Sequence, residues 1–415
     1  MDDHASSGKS FVISKWDVFT AWEVVKANKG APGADGVSLE EFEEDLGNNL
    51  YRIWNRMSSG SYFPPPVKAV HIPKKDGGVR VLGVPTVGDR VAQTVVARHV
   101  GARVEPIFHP DSYGYRPGRG ALDAVGTCKK RCWRYDWVID LDIAKFFDTV
   151  DHDLIVKAVV AHTTEPWVVL YVKRWLTAPL VQPDGTVVGR ERGTPQGSAV
   201  SPVLANLFLH YAFDAWMGRE FPTIPFERYV DDAVVHCVSR GQAEYLLGRI
   251  RDRFTAVGLT LHPTKTRIVY CKDERRTRDH EHTAFDFLGF TFRARGARRK
   301  NGTIFASFMP AVSKNALNTM SAVVRSWRLH RRTGSQLADL ATWINPIIRG
   351  WMNYYGAFYR TALYRLWARI NGYLLRWIRR KYDRLRPFTK AKTAWRRITR
   401  KAPTMFAHWQ WCTVA

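Results

Sequence analysis

"RYVDDAVVH", Arg228–His236, sets two adjacent aspartates inside an otherwise apolar, β-branched run. Tyr229, Val230, Val234, Val235 and Val238 read as strand. Asp231 and Asp232 do not, because aspartate is depleted in strands. Neighbouring carboxylates also raise each other's pKa and cost stability when buried unpaired. A strand keeps them only where something compensates them. A third aspartate has a similar setting. In "DWVIDLDIAKFFDTVDH" (136–152), Asp142 lies at the end of an apolar strand, Val138 to Ile143, that runs into a helical turn. If the two strands are neighbours, the three carboxylates converge, and such a cluster needs cations between its members. Hard oxygen ligands suit Mg²⁺. Two such ions would clamp the attacking and leaving oxygens of an in-line phosphoryl displacement. An isolated Asp-Asp pair more often marks a β-turn or a solvated loop; the apolar flanks and the second strand-end aspartate weigh against that here.

Charge supplies the second signal. The 415-residue chain carries a net +25, and the excess is confined to one end. From Thr291 onward there are 26 Lys and Arg against two acids, whereas the preceding residues hold 37 against 36. That asymmetry points to a polyanion, nucleic acid or an anionic surface, as partner of the C-terminal part. Eight of the 16 tryptophans lie there too, which argues for a folded region rather than a basic disordered tail. The length predicts two or three domains. No apolar stretch is long enough to span a membrane and no secretory signal opens the chain, so a cytoplasmic location is expected, with no membrane partner. Five cysteines form no disulfide framework. Cys128 and Cys132 alone would be half a metal site, and reduced thiols are the better reading.

The rest of the chain frames these residues. Residues 1–60 read as helical, with Ser38 and Glu41 as a capping box. "PPPVKAVHIPKKDGGVRVLGVP" (64–85) reads as a β-hairpin around a Lys-Lys-Asp-Gly-Gly turn. Helices come next over 89–104, 201–216 and 242–257. Residues 180–202 form a second hairpin ending in a Gly/Pro loop, and "FDFLGFTFRA" is a strand pair around a central glycine. Beyond about residue 310 the pattern is helical. In helix 361–382, Leu363, Leu366, Trp367, Ile370, Leu374, Trp377 and Ile378 share one face, and Arg365, Arg369, Arg376 and Arg380 form a stripe opposite.

These motifs, in this order, resemble those of bacterial group II intron-encoded reverse transcriptases with maturase function. "YVDD" (229–232) is similar to the family's polymerase box, more often Tyr-Ala-Asp-Asp. "LDIAKFFDTVDH" (141–152) resembles its first carboxylate motif and "GTPQGSAVSPVLANLFL" (193–209) the motif between them. "IPKKDGGVRVLGVPTVGDRVAQ" (72–93) and "YGYRPGRGALDA" (113–124) resemble fingers motifs; "GLTLHPTKT" (258–266) and "FDFLGF" (285–290) resemble later palm motifs. "WINPIIRGWMNYYG" (343–356) resembles the maturase, or X, domain that forms the thumb. The resemblance implies an α+β right-hand polymerase: an N-terminal helical extension (1–60), fingers and palm (61–300), a helical thumb/maturase domain (301–385) and a basic C-terminal tail (386–415).

It also implies roles. Asp142 and Asp231 would be the principal ligands of two Mg²⁺ ions, with Mn²⁺ able to substitute, Asp232 a third carboxylate, and the Ile143 carbonyl a further ligand. Lys74 and Arg80, with Lys68 a weaker candidate, would grip an incoming dNTP. Phe147 would reject ribonucleotides by a clash under C2′. Gln196 and Gly197 would touch the nucleotide, and Lys265 would assist the pyrophosphate. Arg116 and Arg119 would contact template phosphates; Phe287, Leu288 and Gly289 would grip the primer. Arg349 and the arginine stripe would bind RNA. The partners implied are an RNA template and primer, a structured group II intron RNA and target DNA. Only about 30 residues lie beyond the resemblance, so the kind lacking an endonuclease domain is expected. A splicing-only maturase with a vestigial polymerase, or a domesticated reverse transcriptase serving host defence or CRISPR adaptation, are the rival readings; monomer and dimer both fit.

Overall fold

The computed structural model describes residues 9–73 and 78–414. The chain folds as two compact units. One comprises Met1–Gly120, Leu141–Val235 and Glu244–Thr266; the other comprises Ala121–Asp140, His236–Ala243 and Arg267–Ala415.

The first unit opens with helices Lys15–Asn28, Leu39–Glu44 and Leu46–Ser58. The expected capping box is present. The Ser38 hydroxyl accepts from the Glu41 N–H at 3.1 Å, and the Glu41 carboxylate accepts from the Ser38 N–H at 2.8 Å, which satisfies two otherwise orphaned donors. Strands β1 (Val67–Pro73) and β2 (Val79–Val84) form the first hairpin, in register from Lys68↔Val84 to Pro73↔Val79. Strand β3 (Trp137–Leu141) ends at a unit boundary, and the chain then makes the helical turn Phe146–Thr149. The second hairpin is short, β4 (Leu180–Val181) with β5 (Val187–Val188), and β4 joins β1 in parallel to give the sheet order β2-β1-β4-β5. The helix expected over 201–216 begins at Ser201 and runs to Leu209. It passes through a π turn, His210–Asp214, and resumes over Ala215–Glu220. Strands β6 (Phe226–Tyr229) and β7 (Asp232–Cys237) then pair antiparallel, Phe226↔Val235 to Tyr229↔Asp232. Ala233, Val234 and Val235 are all buried, so β7 is covered on both faces, which accounts for its unbroken apolar run.

In the second unit, β3 pairs antiparallel with β8 (Arg267–Tyr270), Trp137 opposite Tyr270. Strands β9 (Ala284–Phe287), β10 (Phe290–Arg298) and β11 (Ile304–Val312) form an antiparallel sheet in the order β11-β10-β9. Helices Lys314–Ser326, Leu337–Tyr355 and Tyr364–Lys381 come after it. The amphipathic pattern holds in detail: all seven apolar residues of the predicted face are buried in one core, while Arg365, Arg369, Arg376 and Arg380 are exposed.

The C-terminal segment differs from the expected tail. Residues 388–401 form a further helix, and Trp395, Phe406 and Trp409 bury themselves in the same core. Large aromatics gain too much from leaving water to remain in a solvated tail. Two asparagines fasten the segment. Asn345 donates to the Met405 carbonyl at 2.8 Å and accepts from the Ala407 N–H at 2.9 Å. The Asn371 oxygen accepts from the Trp409 indole at 3.0 Å, and its amide donates to the carbonyls of Cys412 at 3.1 Å and Val414 at 2.8 Å. No helix among the described residues is long and apolar enough to cross a membrane.

Replacing Asn371 by leucine strands these groups without partners. Asn371→Leu is expected to cost about 2–4 kcal/mol in guanidinium unfolding and to speed tryptic cleavage within 386–401. Unchanged stability and cleavage would refute the role given to Asn371.

Candidate active site

The opening aspartates occupy a hairpin turn. Tyr229 and Asp232 face each other across β6 and β7, so Val230 and Asp231 are the two turn residues. Val230 has φ 58°. Tight hairpins usually give such a first turn position to glycine, and a β-branched residue rarely adopts it. The turn therefore needs support, and Arg228 supplies it from below through a buried ion pair with Asp214.

Asp142 arrives from the other strand. Beyond β3 the chain continues extended, with Ile143 bridged to Leu261. The bonds of that pairing come from its flanks: His262 N–H donates to the Asp142 carbonyl and Ala144 N–H to the Thr260 carbonyl, both at 2.8 Å. This pairing leaves the Ile143 carbonyl, expected as a metal ligand, outside its hydrogen bonds. Thr266 holds Asp142 by its backbone. Its hydroxyl accepts from the Asp142 N–H at 3.2 Å and donates to the Asp142 carbonyl at 3.1 Å. The Lys265 ammonium lies 3.6 Å from the Asp142 carboxylate.

The electrostatics reflect the convergence of the three carboxylates. Asp232 is pushed up to about 7, first by desolvation and then by Asp231 and Asp142, with Lys265 opposing. Asp231 is also raised, again first by desolvation and then by Asp142, with Arg80 and Arg228 opposing. Asp232 keeps accessible surface yet is surrounded by enough protein to lose much of its hydration, as in a concave wall. A hard-oxygen cluster whose members resist ionising together fits a divalent cation, which would relieve the repulsion.

The other expected residues divide. Arg80 is exposed on β2 and acts electrostatically on Asp231; Lys68 is exposed on β1, and Lys74 lies outside the described residues. Phe147 is half-buried beside the fully buried Phe146, ring centroids 5.2 Å apart, so Phe147 is the ring left available. Gln196 is half-buried, and its carbonyl accepts from Gly83 N–H at 2.8 Å. Gly197 has φ 116°, and a Cβ there would lie 2.5 Å from the Gly83 carbonyl oxygen. Its close approach is thus to β2, not only to a ligand.

Arg116 departs from expectation. It is buried, bidentate to Glu105, and donates to the carbonyls of His109 and Ser112 at 2.7 Å. Its donors brace the 105–116 loop rather than facing a template. Arg119 stays exposed over the Tyr113 ring. In the second unit, Leu288 and Gly289 form a turn with φ 50° and 80°, Phe287 is buried behind it, and the Tyr354 hydroxyl donates to the Leu288 carbonyl at 2.8 Å. Arg349 is exposed. Sequence reasoning missed Thr266, Asp214 and Tyr115. Tyr115 is exposed at φ 55° and is influenced by Asp231 and Arg80.

A strand-borne carboxylate cluster with cations beside it suits metal-assisted chemistry at a phosphate. Residues 72–292 match the model of the reverse transcriptase (RNA-dependent DNA polymerase) family, and the chain belongs to that family. Residues 317–399 match the group II intron maturase-specific domain. YkfC of Escherichia coli K12 is 32% identical over a stretch covering 48% of this chain and 54% of YkfC. The group II intron-encoded protein LtrA of Lactococcus lactis is 30% identical, over 46% of this chain and 32% of LtrA. An uncharacterized 91 kDa protein in the cob intron of Schizosaccharomyces pombe is 28% identical over 84% of this chain and 50% of its own length. The chain thus spans about half the length of these relatives, or less.

A raised carboxyl pKa has a definite consequence for stability. With its folded value near 7 and its unfolded value near the ordinary one, Asp232 penalises the folded state fully above pH 7. The penalty fades as pH falls and vanishes below about 4. In metal-free buffer, Asp232→Asn should therefore melt above the parent at pH 8, with the gap closing by pH 4. A gap that is independent of pH would contradict the cluster.

Proposed function

We propose that this chain is an RNA-directed DNA polymerase that extends a primer on an RNA template and also binds and helps splice a group II intron RNA, supporting its retrohoming into target DNA. The observation that carries the polymerase reading is the convergence of Asp142, Asp231 and Asp232 opposite Arg80 and Lys265. Asp142 and Asp231 would hold the metal ions, with Asp232 and the Ile143 carbonyl in support. Two Mg²⁺ ions, or Mn²⁺ in their place, would supply the positive charge that an in-line displacement at phosphorus requires.

The chain's own residues do the positioning. Arg80, with Lys74, grips the triphosphate of the dNTP. Phe147 lies under the sugar and clashes with a 2′-hydroxyl. Gln196 and Gly197 line the nucleotide's other side, and Arg119 holds the template. The Leu288–Gly289 turn would contact the primer. Its 3′-hydroxyl attacks the α-phosphorus, the new P–O bond forms, and pyrophosphate leaves towards Lys265. Most of the rate would come from positioning and fixed charge rather than covalent chemistry.

The maturase reading rests on the exposed arginine stripe of the helix Tyr364–Lys381 together with Arg349. Cations on a rigid helix suit RNA phosphates, which duplex RNA presents in a fixed shape.

Primer extension on an RNA template tests the polymerase. The parent should incorporate dNTPs, and Asp231→Ala should lose activity by on the order of a thousandfold. An inactive parent would instead favour a splicing-only maturase. For the second surface, the combined change of Arg365, Arg369, Arg376 and Arg380 to glutamine should weaken binding of the intron RNA. The slope of log affinity against log salt should also become shallower by about 3; an unchanged slope would remove the stripe from the RNA interface.

A further inference from the structure

A buried charge pair lies under the turn that carries Asp231. Arg228 is 1% exposed and Asp214 0%. The guanidinium meets the carboxylate through a fork, Nε to Oδ1 at 2.7 Å and Nη2 to Oδ2 at 2.5 Å, the strongest geometry available to this pair. Its remaining nitrogen, Nη1, donates to the Asn206 side-chain oxygen at 3.1 Å and to the Val230 carbonyl at 3.0 Å. The Asn206 amide donates in turn to the Gly114 carbonyl at 2.6 Å. Gly114 itself presses on the turn. A Cβ there would lie 2.5 Å from Val230 Cγ2 and 2.8 Å from the Val230 nitrogen.

The helix that supplies two of these groups is irregular where it matters. Asp214 ends the π turn His210–Asp214, closed by the Ala215 N–H on the His210 carbonyl. A π turn shifts the angular phase of the residues beyond it and occurs often at functional sites. Here Asn206 and Asp214 both reach one guanidinium. For stability alone, apolar side chains would fill this space at lower cost, because burying an ion pair sacrifices the hydration of both members.

We propose that Arg228, backed by Asp214 and Asn206, is a positioning residue of the polymerase. It fixes the Val230 carbonyl and, through the 230–231 peptide, aims the Asp231 carboxylate. The left-handed Val230 is the reason a clamp is needed. A β-branched residue leaves φ 58° unless its surroundings over-determine it, and the arginine fork and Gly114 do so from different sides. The inference rests on the reading of Asp231 as a metal-holding carboxylate.

The test uses the full chain with Arg228→Lys, Asp214→Asn or Asn206→Ala. Single-nucleotide incorporation gives kcat and the KM for dNTP, and electron paramagnetic resonance of Mn²⁺ gives metal affinity without turnover. Arg228→Lys keeps the charge and loses the fork. It should lower kcat by about a hundredfold with little change in KM, and weaken Mn²⁺ binding by about tenfold or more. Adding Val230→Gly, which adopts positive φ freely, should restore part of the lost kcat. Asn206→Ala leaves the ion pair intact, so it covers the case in which Arg228→Lys does not fold, and it should give a smaller loss of the same kind. Variants that melt earlier yet keep the parent's kcat and Mn²⁺ affinity would overturn the proposal and leave the network a structural brace. If the parent incorporates no nucleotide, the polymerase reading fails, and the Mn²⁺ measurement decides the positioning role by itself: weakening by Arg228→Lys supports it, unchanged affinity overturns it.

Discussion

The fork between Arg228 and Asp214 is the interaction on which the carboxylate centre depends. A cluster of acids has no tendency to assemble, since each member raises the cost of ionising the next. The fold must impose the cluster through backbone geometry. It does so at two places in the first unit. One is the Val230–Asp231 turn, held over a buried guanidinium. The other is the extended chain at Asp142, tied at both its N–H and its carbonyl by the Thr266 hydroxyl. Neither support touches an oxygen of the three clustered carboxylates; both act on the backbone that carries them.

Charge around the cluster is arranged in the complementary sense. Lys265 opposes the shift of Asp232, and Arg80 and Arg228 oppose that of Asp231. These cations moderate the repulsion without abolishing it, since both carboxyls remain raised. A cluster left in that condition would be relieved by a divalent cation. On the proposed reading, the same lysine and the arginine of β2 would also meet a triphosphate's anionic oxygens. On that reading, metal and nucleotide would draw on one local set of opposed charges.

Much of this is legible in the sequence, for reasons that particular residues make clear. Asp231 and Asp232 stand out because aspartate contradicts a β-branched run, and the Ser38–Glu41 capping box is a local signal with a local cause. The stripe of arginines in 361–382 comes from helical period alone. The hidden features depend on partners far along the chain. Arg228 adjoins the aspartates, but nothing in the sequence couples it to Asp214, and the π turn that brings Asp214 round has no signature in residue type. Val230 gives no hint of a left-handed backbone, since valine is a poor choice for one. Arg116 carries the right charge for a template contact, yet Glu105 and two carbonyls claim its donors. Residues 386–415 read as a basic tail because their lysines and arginines outnumber their tryptophans, and charge count says nothing of where an indole packs.

The contact between Gly83 and the 193–201 loop has a mechanical consequence. Gly83 donates to the Gln196 carbonyl, a side chain on Gly83 would collide with Pro195, and one on Gly197 would collide with Gly83. At Gly197 backbone meets backbone, and at Gly83 the Pro195 ring already fills the space a side chain would take. The hairpin that carries Arg80 and the loop that carries Gln196 are therefore geared together rather than hinged. Any displacement of the hairpin must carry the loop with it, so that Arg80 and Gln196 keep their spacing.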